Sequence, residues 1–391
     1  MTIVESFVFV GGGTLHILTG QSHANGADAA LSAAVSSWPD SWAPDLVLVF
    51  HAACYDSAAI AAGIAARFPD ALVAGASTAG EWFDAHHCTG SLVLTAIASD
   101  QIHFSLTVAE QLTPFGSAEA MAVSARLLQP LGLLRGQLNP QRHFLLSFFD
   151  GLCQREEPVI AAMRDALGGV QMVGGSSGDS LRFADTPVIA NGDSYHNAAV
   201  FVLADSAIPF DVCKHQHFVA TEISTVITAV DDAARRIVSL DGYPAAERYA
   251  ELLGLEIAAL DTEVFARHPL IYQLGDHDFV RSLAHANSDG SLQAHTAVES
   301  GMILALGEPH AMVECLRQEC EGWHGEGALL LLFNCALRTV ESDLIDASGQ
   351  LAQLLATKSC LVVGFDTFGE QFAGLHVNQT AVMLRLGTPK A

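Results

Sequence analysis

Apolar runs along the chain come in pairs, and the pairs come three times. Residues 45–50 (DLVLVF), 142–149 (RHFLLSFF) and 328–335 (ALLLLFNC) are short, dense and rich in branched residues, the signature of buried strands. Helical sequence follows the first two, SAAIAAGIAARF at 57–68 and EPVIAAMRDAL at 157–167. A second strand then runs into glycine, a hydroxyl or acid, and glycine or acid again: DALVAGASTAGEW (70–82), GVQMVGGSSGDS (169–180) and CLVVGFDTFGEQ (360–371). A return strand closes each copy, at 90–97, 196–204 and 378–386. A helical crossover favours a parallel pair and a short return an antiparallel neighbour, so the pattern predicts an α/β fold of mixed β-sheets with flanking helices, built from repeated strand-helix-strand-turn-strand units. The texture changes after the second copy, where a strand, a turn at Asp241 and Gly242, and a helix from near Pro244 follow one another. Two parts are expected, residues 1–225 with two related units and 226–391 with the third.

Length agrees with more than one part, since 391 residues exceed the size at which one core stops growing. The net charge of −25, with no basic block, argues against a nucleic-acid partner. Eight scattered cysteines read as reduced thiols, and the spacing Cys315, Cys320, His324 does not complete a zinc set. The amino end MTIVESFVFVGGG has an acid at Glu5 in place of a basic leader, and no apolar run reaches the ~20 residues that span a bilayer. A cytoplasmic protein without membrane insertion is expected.

The turns are the first place to look for chemistry. Glycine lets backbone N–H groups gather round a ligand, and Ser77, Thr78, Ser176 and Ser177 add hydroxyls; the same features equally suit purely structural turns. GGSSG at 174–178 fits a loose nucleophile elbow centred on Ser176, but a hydrolase also needs a converging histidine and acid. The initial GGGT lacks a Walker lysine, and no dinucleotide fingerprint opens a helix. Among seventeen histidines, His196 stands at the entrance to a return strand with Tyr195 and Phe201 nearby, a setting in which an imidazole could meet iron beside an aromatic wall. No haem-attachment motif is present, so any haem would be non-covalent.

Taken in order, DLVLVF, ALVAGASTAGEW and VQMVGGSSGDS, then VSLDGYPAAERY, ARHPLIYQ, FVRSL, ALLLLFNCALR, LVVGFDTFGEQF and HVNQTAVML resemble the FIST family of bacterial sensory proteins across roughly residues 30–386. Gly75, Ser77, Thr78, Gly80 and Glu81 match its first turn, and Gly174, Gly175 and Ser176 its second. Asp241, Gly242, Tyr249, His268, Pro269, Leu270, Arg281, Cys335 and Arg338 match its carboxy-terminal elements, with Gly364, Phe365, Gly369, Glu370, Asn378 and Thr380 in the closing signature. The resemblance implies a two-part, non-catalytic sensor with no catalytic residues. It is similar to the haem-containing branch that senses nitric oxide, which implies haem b as cofactor and a sensor histidine kinase or a cyclic-di-GMP enzyme as signalling partner. The family commonly has an acidic and glycine-containing return where this chain reads SYHNAAV, and that departure makes His196 the expected metal ligand, with Tyr195 and Phe201 as further haem contacts. Two alternatives stay open: a sensor of an amino acid or other small polar ligand that uses the turns, and a Ser176-dependent hydrolase.

Overall fold

The computed structural model describes residues 3–10, 13–39, 41–274, 277–323 and 327–387, which leaves His324 outside the described residues. The leading strand of each unit, Leu46–Ala52, His143–Phe149 and Gly327–Cys335, is buried at every position, as a strand covered on both faces must be. Helix Ser57–Arg67 starts where Asp56 accepts hydrogen bonds from the N–H groups of Ala58 and Ala59. Helix Glu156–Leu167 ends where Gly168 takes the left-handed conformation, φ 68°. Each leading strand pairs in parallel with the strand that ends in its glycine turn, Leu72–Thr78, Gln171–Ser176 or Ser359–Thr367, and antiparallel with its return strand. The fold is therefore the expected mixed α/β arrangement of repeated units.

Between each turn and its return strand the chain makes a small hairpin, and no unit keeps its own. Hairpin Glu81–Phe83 and His86–Cys88, from the first unit, adds to strand Ser359–Thr367 of the third, with Trp82 opposite Gly364. The third unit's hairpin, Glu370–Phe372 and Leu375–Val377, adds to Gln171–Ser176 of the second. Hairpin Val188–Ala190 and Asp193–Tyr195, from the second, adds to Leu72–Thr78 of the first and closes the ring. Every turn strand thereby has a neighbour on the side away from its parallel partner, where an exposed edge would otherwise present unpaired backbone groups.

Where the three sheets meet, equivalent positions of the leading strands carry Phe50, Phe148 and Phe333. Their register partners in the turn strands are Ala76, Gly175 and Phe365. Two small residues make room for one large one: Phe365 lies with ring centroids 4.8, 6.4 and 5.6 Å from Phe50, Phe148 and Phe333. A Cβ on Gly175 would stand 2.3 Å from the Thr367 methyl and 3.2 Å from the Phe365 ring, so glycine is required there by close approach.

A fourth sheet of eight strands belongs to the segment between the second and third units. It includes strand Phe218–Asp231, within which the expected division at 225/226 falls, then Arg236–Leu240, the turn at Asp241 and Gly242 with φ 52° and 84°, and helix Ala245–Leu253. Among the described residues no helix is long and apolar enough to cross a membrane.

Phe365→Ala removes the ring shared by all three sheets and should lower the free energy of unfolding by about 3–5 kcal/mol in urea denaturation. A loss below about 1 kcal/mol would show that the ring cluster does not hold the units together.

Candidate ligand cleft

In open α/β sheets, ligands bind beyond the carboxyl ends of parallel strands. Here each such end is covered by the turn of another unit. Over the first, the N–H of Gly178 donates to Ser77 O (3.0 Å) and that of Ser77 to Pro187 O (3.1 Å). Over the second, Phe368 N–H donates to Ser176 O (3.0 Å) and Ser176 N–H to Gly369 O (2.8 Å). Over the third, Ala79 N–H donates to Asp366 O (3.0 Å) and Asp366 N–H to Gly80 O (2.8 Å). The turns bind one another with the amides that an anion would need.

Their side chains follow one plan in the first and third units. The Thr78 hydroxyl donates to Glu81, whose other carboxylate oxygen accepts from the N–H (3.0 Å) and hydroxyl (2.8 Å) of Ser91. Thr367, Glu370 and Thr380 repeat this arrangement. The second unit has Ser180 at the glutamate position, and Asp150 takes over the return strand: it accepts from the Thr186 hydroxyl (2.6 Å) and the N–H groups of Leu152 (3.0 Å) and Asn197 (2.6 Å). Fully buried Asp179 sits where the other turns have Gly80 and Gly369, and it collects the N–H groups of Arg182, Phe183, Ala184 and Asp185. It thus holds a longer loop, in which Ser180, Leu181 and Phe183 have φ of 61°, 62° and 53°.

The first and third strand ends are occupied by the protein's own groups. His51, fully buried, donates from Nδ1 to Ala52 O (2.9 Å) and accepts the Ser57 hydroxyl at Nε2 (3.1 Å). Asp366 accepts from Trp82 Nε1 (2.9 Å), Asn334 Nδ2 (2.9 Å) and His87 Nε2 (2.8 Å). At the second end a cleft of about 210 Å³ opens. One wall is Gly151, Leu152, Gln154 and Phe183; the facing wall comes from the eight-stranded sheet and the ends of its strands, with Gln293 in strand Leu292–Ala294, His295 just after it and Arg235 just before strand Arg236–Leu240, and Phe368 of the third turn also lines it.

Burial works against the Arg235 charge, but the carboxylates of Glu156 (2.6 Å) and Glu157 outweigh it and hold the guanidinium above its ordinary value. A second donor nitrogen of Arg235 binds His295 O at 2.8 Å. Burial, helped by Arg235, pushes the His295 ring down to about 4, so it is neutral at pH 7. Behind Phe368, Gly369 lies against His376 and Asn378, both buried and without hydrogen-bond partners on their side chains among the described residues. The cleft therefore offers aromatic faces, amide groups, a neutral imidazole and an arginine held by two carboxylates.

The residues expected from sequence lie elsewhere. His196 is at the surface, its Nε2 2.7 Å from Asp185 Oδ1, with side chains 61% and 67% exposed. Phe201 is fully buried against Phe149 under the helices, ring centroids 5.8 Å apart, whereas Tyr195 packs on the opposite core from an edge strand. The three do not form one aromatic wall and do not fit a haem; among the described residues no group of three His, Cys, Asp or Glu could hold a metal ion. Ser77, Thr78, Ser176 and Ser177 are buried and do not line the cleft. The Ser176 hydroxyl accepts from Gln371 Nε2 at 3.1 Å instead of meeting a histidine, and Ser177 donates to the carbonyls of Phe149 and Thr186. Sequence reasoning missed Phe183, Arg235, His295 and Phe368. The one available signal was the second turn's departure from the other two, GDS in place of GE.

Two family models match the chain, FIST N domain over residues 45–243 and FIST C domain over residues 245–373. No curated protein matches it.

Glu370 supplies a test of the turn architecture. Burial dominates and raises its carboxyl from 4.5 to about 8, against the hydrogen bonds from Thr367 and Thr380 and the nearby Arg338 charge. With the folded value above the unfolded one, the native state binds the extra proton between those limits, so its contribution is complete below pH 4.5 and is lost as pH rises through about 8. Glu370→Gln should flatten this fall, by an amount on the order of 5 kcal/mol across the window, in urea unfolding at successive pH values. Equal slopes in both proteins would remove Glu370 as their source.

Proposed function

Because the chain belongs to the FIST family of sensory proteins, we propose that it is a non-catalytic sensor of an amino acid or similar small polar ligand, held in the cleft at the carboxyl end of the second unit. The observation that carries this reading is the origin of the walls. Gly151, Leu152, Gln154 and Phe183 lie in the part matched as FIST N, while Gln293, His295 and Phe368 lie in the part matched as FIST C. A ligand there touches both parts at once, and its binding energy depends on how they stand to each other, which is the requirement for a reporter of occupancy. The size is in keeping: about 210 Å³ is below the ~300 Å³ at which drug-sized sites begin.

The chemistry supports recognition without reaction. The Ser176 and Ser177 hydroxyls are engaged with amide and backbone groups, and the His51–Ser57 pair belongs to a different strand end from the cleft. A sensor needs an output, and the reading assigns it to a signalling protein, a sensor histidine kinase or a cyclic-di-GMP enzyme, that recognises the ligand-dependent surface.

Mass spectrometry under gentle conditions on freshly purified protein should find a retained small polar molecule, and calorimetry with that molecule should give one site per chain. Ala284, on the cleft wall, provides the control. Ala284→Trp should weaken binding at least about ten-fold while the urea midpoint stays within error, because the added ring occupies the ligand's volume. Unchanged affinity would move the site elsewhere. A saturable Soret band that shifts with nitric oxide would overturn the small-ligand reading in favour of haem b.

A further inference from the structure

Phe183 occupies an unusual place for a side chain that is 41% exposed. Its ring packs on two others: the Phe368 centroid is 4.7 Å away with planes 26° apart, and the His295 centroid is 5.8 Å away with planes 31° apart. Phe368 comes from the third turn and His295 directly follows strand Leu292–Ala294 of the eight-stranded sheet, so a loop of the second unit sets one ring against two foreign ones. All three rings line the cleft. The loop reaches this position with three residues in the left-handed region, and Phe183 itself has φ 53°. Such a conformation is unfavourable for a side-chain-bearing residue and persists only while surrounding contacts hold it. Asp179 gathers the loop's N–H groups from its base, and Arg182 reaches back to Ala53 O at 3.5 Å. The loop is anchored at its root and carries its aromatic tip into the cleft.

Resting on the reading of this cleft as the ligand site, we propose that Phe183 is a resident plug, and that the slot it fills against Phe368 and His295 receives a small planar aromatic or heteroaromatic ligand with a polar edge. Planarity follows from the contacts: two rings inclined by only 26° and 31° to the Phe183 plane favour a flat π-system in its place over a puckered one of the same size. The polar edge follows from the rim, where Gln154, Gln293 and His285 present amide and imidazole groups. Binding then requires Phe183 to leave. The loop swings about Asp179, and the apolar ring passes to the surface, where a partner can read it. Ligand and plug compete for one slot, so the ring that weakens binding also signals it.

Benzamide and cyclohexanecarboxamide share a polar group and differ in planarity, and they test the proposal on the intact protein. Calorimetry should show benzamide binding Phe183→Ala about ten times more tightly than the wild type, since a slot open one time in ten weakens apparent affinity by that factor. Cyclohexanecarboxamide should bind Phe183→Ala at least ten times more weakly than benzamide does. Phe183→Leu, which keeps an apolar tip without a flat face, should fall between wild type and alanine for benzamide. Equal binding of the two amides, or no gain in Phe183→Ala, overturns the plug. If Ala284→Trp still abolishes binding of the retained ligand in that case, the cleft reading stands alone. If neither amide binds any variant and Ala284→Trp also has no effect on the retained ligand, both readings fail together.

Discussion

An unpaired sheet edge is the constraint on which the rest of this structure depends. Each unit ends its second strand in a turn that leaves the N–H and C=O groups of that strand without a neighbour, and such groups, once buried, must be paired. The chain meets the requirement by giving each unit the hairpin of another, in a ring that runs from first to third to second to first. All three pairings join segments more than a hundred residues apart. Separation along the chain therefore does not correspond to separation in the core: cutting between the parts would uncover edges on both sides. The ring also fixes where the turns go. Because every hairpin leaves its own unit, every turn is carried over the strand end of its neighbour, and three glycine turns that look like ligand loops become the contacts that join the units.

Departure from threefold regularity then creates the cleft. The first and third turns are tight and closed by the Thr–Glu pairs, and their strand ends are filled by His51 with Ser57 and by Asp366 with its three donors. In the second unit the glutamate is missing and Asp150 and Asp179 divide its task. The connection from Ser176 to Val188 is correspondingly long, and its Phe183 reaches the eight-stranded sheet. The sheet supplies the wall that neither repeat could.

Local structure was legible in the sequence because it rests on local causes. The strands at 46–52, 143–149 and 327–335, the helices at 57–67 and 156–167, the mixed pairing and the turn at Asp241 and Gly242 all follow from hydrophobic period, glycine and helix-ending signals. The exchange was not legible, since EWFDAHHC reads alone as a turn and nothing in it names Val363 as the partner of Phe83. The site was least legible of all. Arg235, His295 and Phe183 are ordinary residues in sequence and gain meaning only when three distant segments converge. His196 drew attention through an unusual neighbourhood in the chain, yet its chemistry is decided by exposure, which puts it on the surface beside Asp185.

The third turn connects the cleft to the far side of the ring. Within five residues it presents Asp366 to Trp82, His87 and Asn334, Phe368 to the cleft, and Glu370 to a buried pocket of hydroxyls. Asp366 and Glu370 are held by several hydrogen bonds each, whereas Phe368 is held by ring contacts and packing. A packed interior yields in discrete rearrangements more readily than by gradual deformation. A displacement at Phe368 must therefore either stop within the turn or shift the hydrogen bonds of its neighbours. His87 marks the more yielding side, because its ring reaches solvent with 21% of the side chain exposed while Glu370 is fully enclosed. Of the two neighbours of Phe368 along the turn, the hairpin lent by the first unit is thus the less enclosed, and it lies at the edge of its sheet.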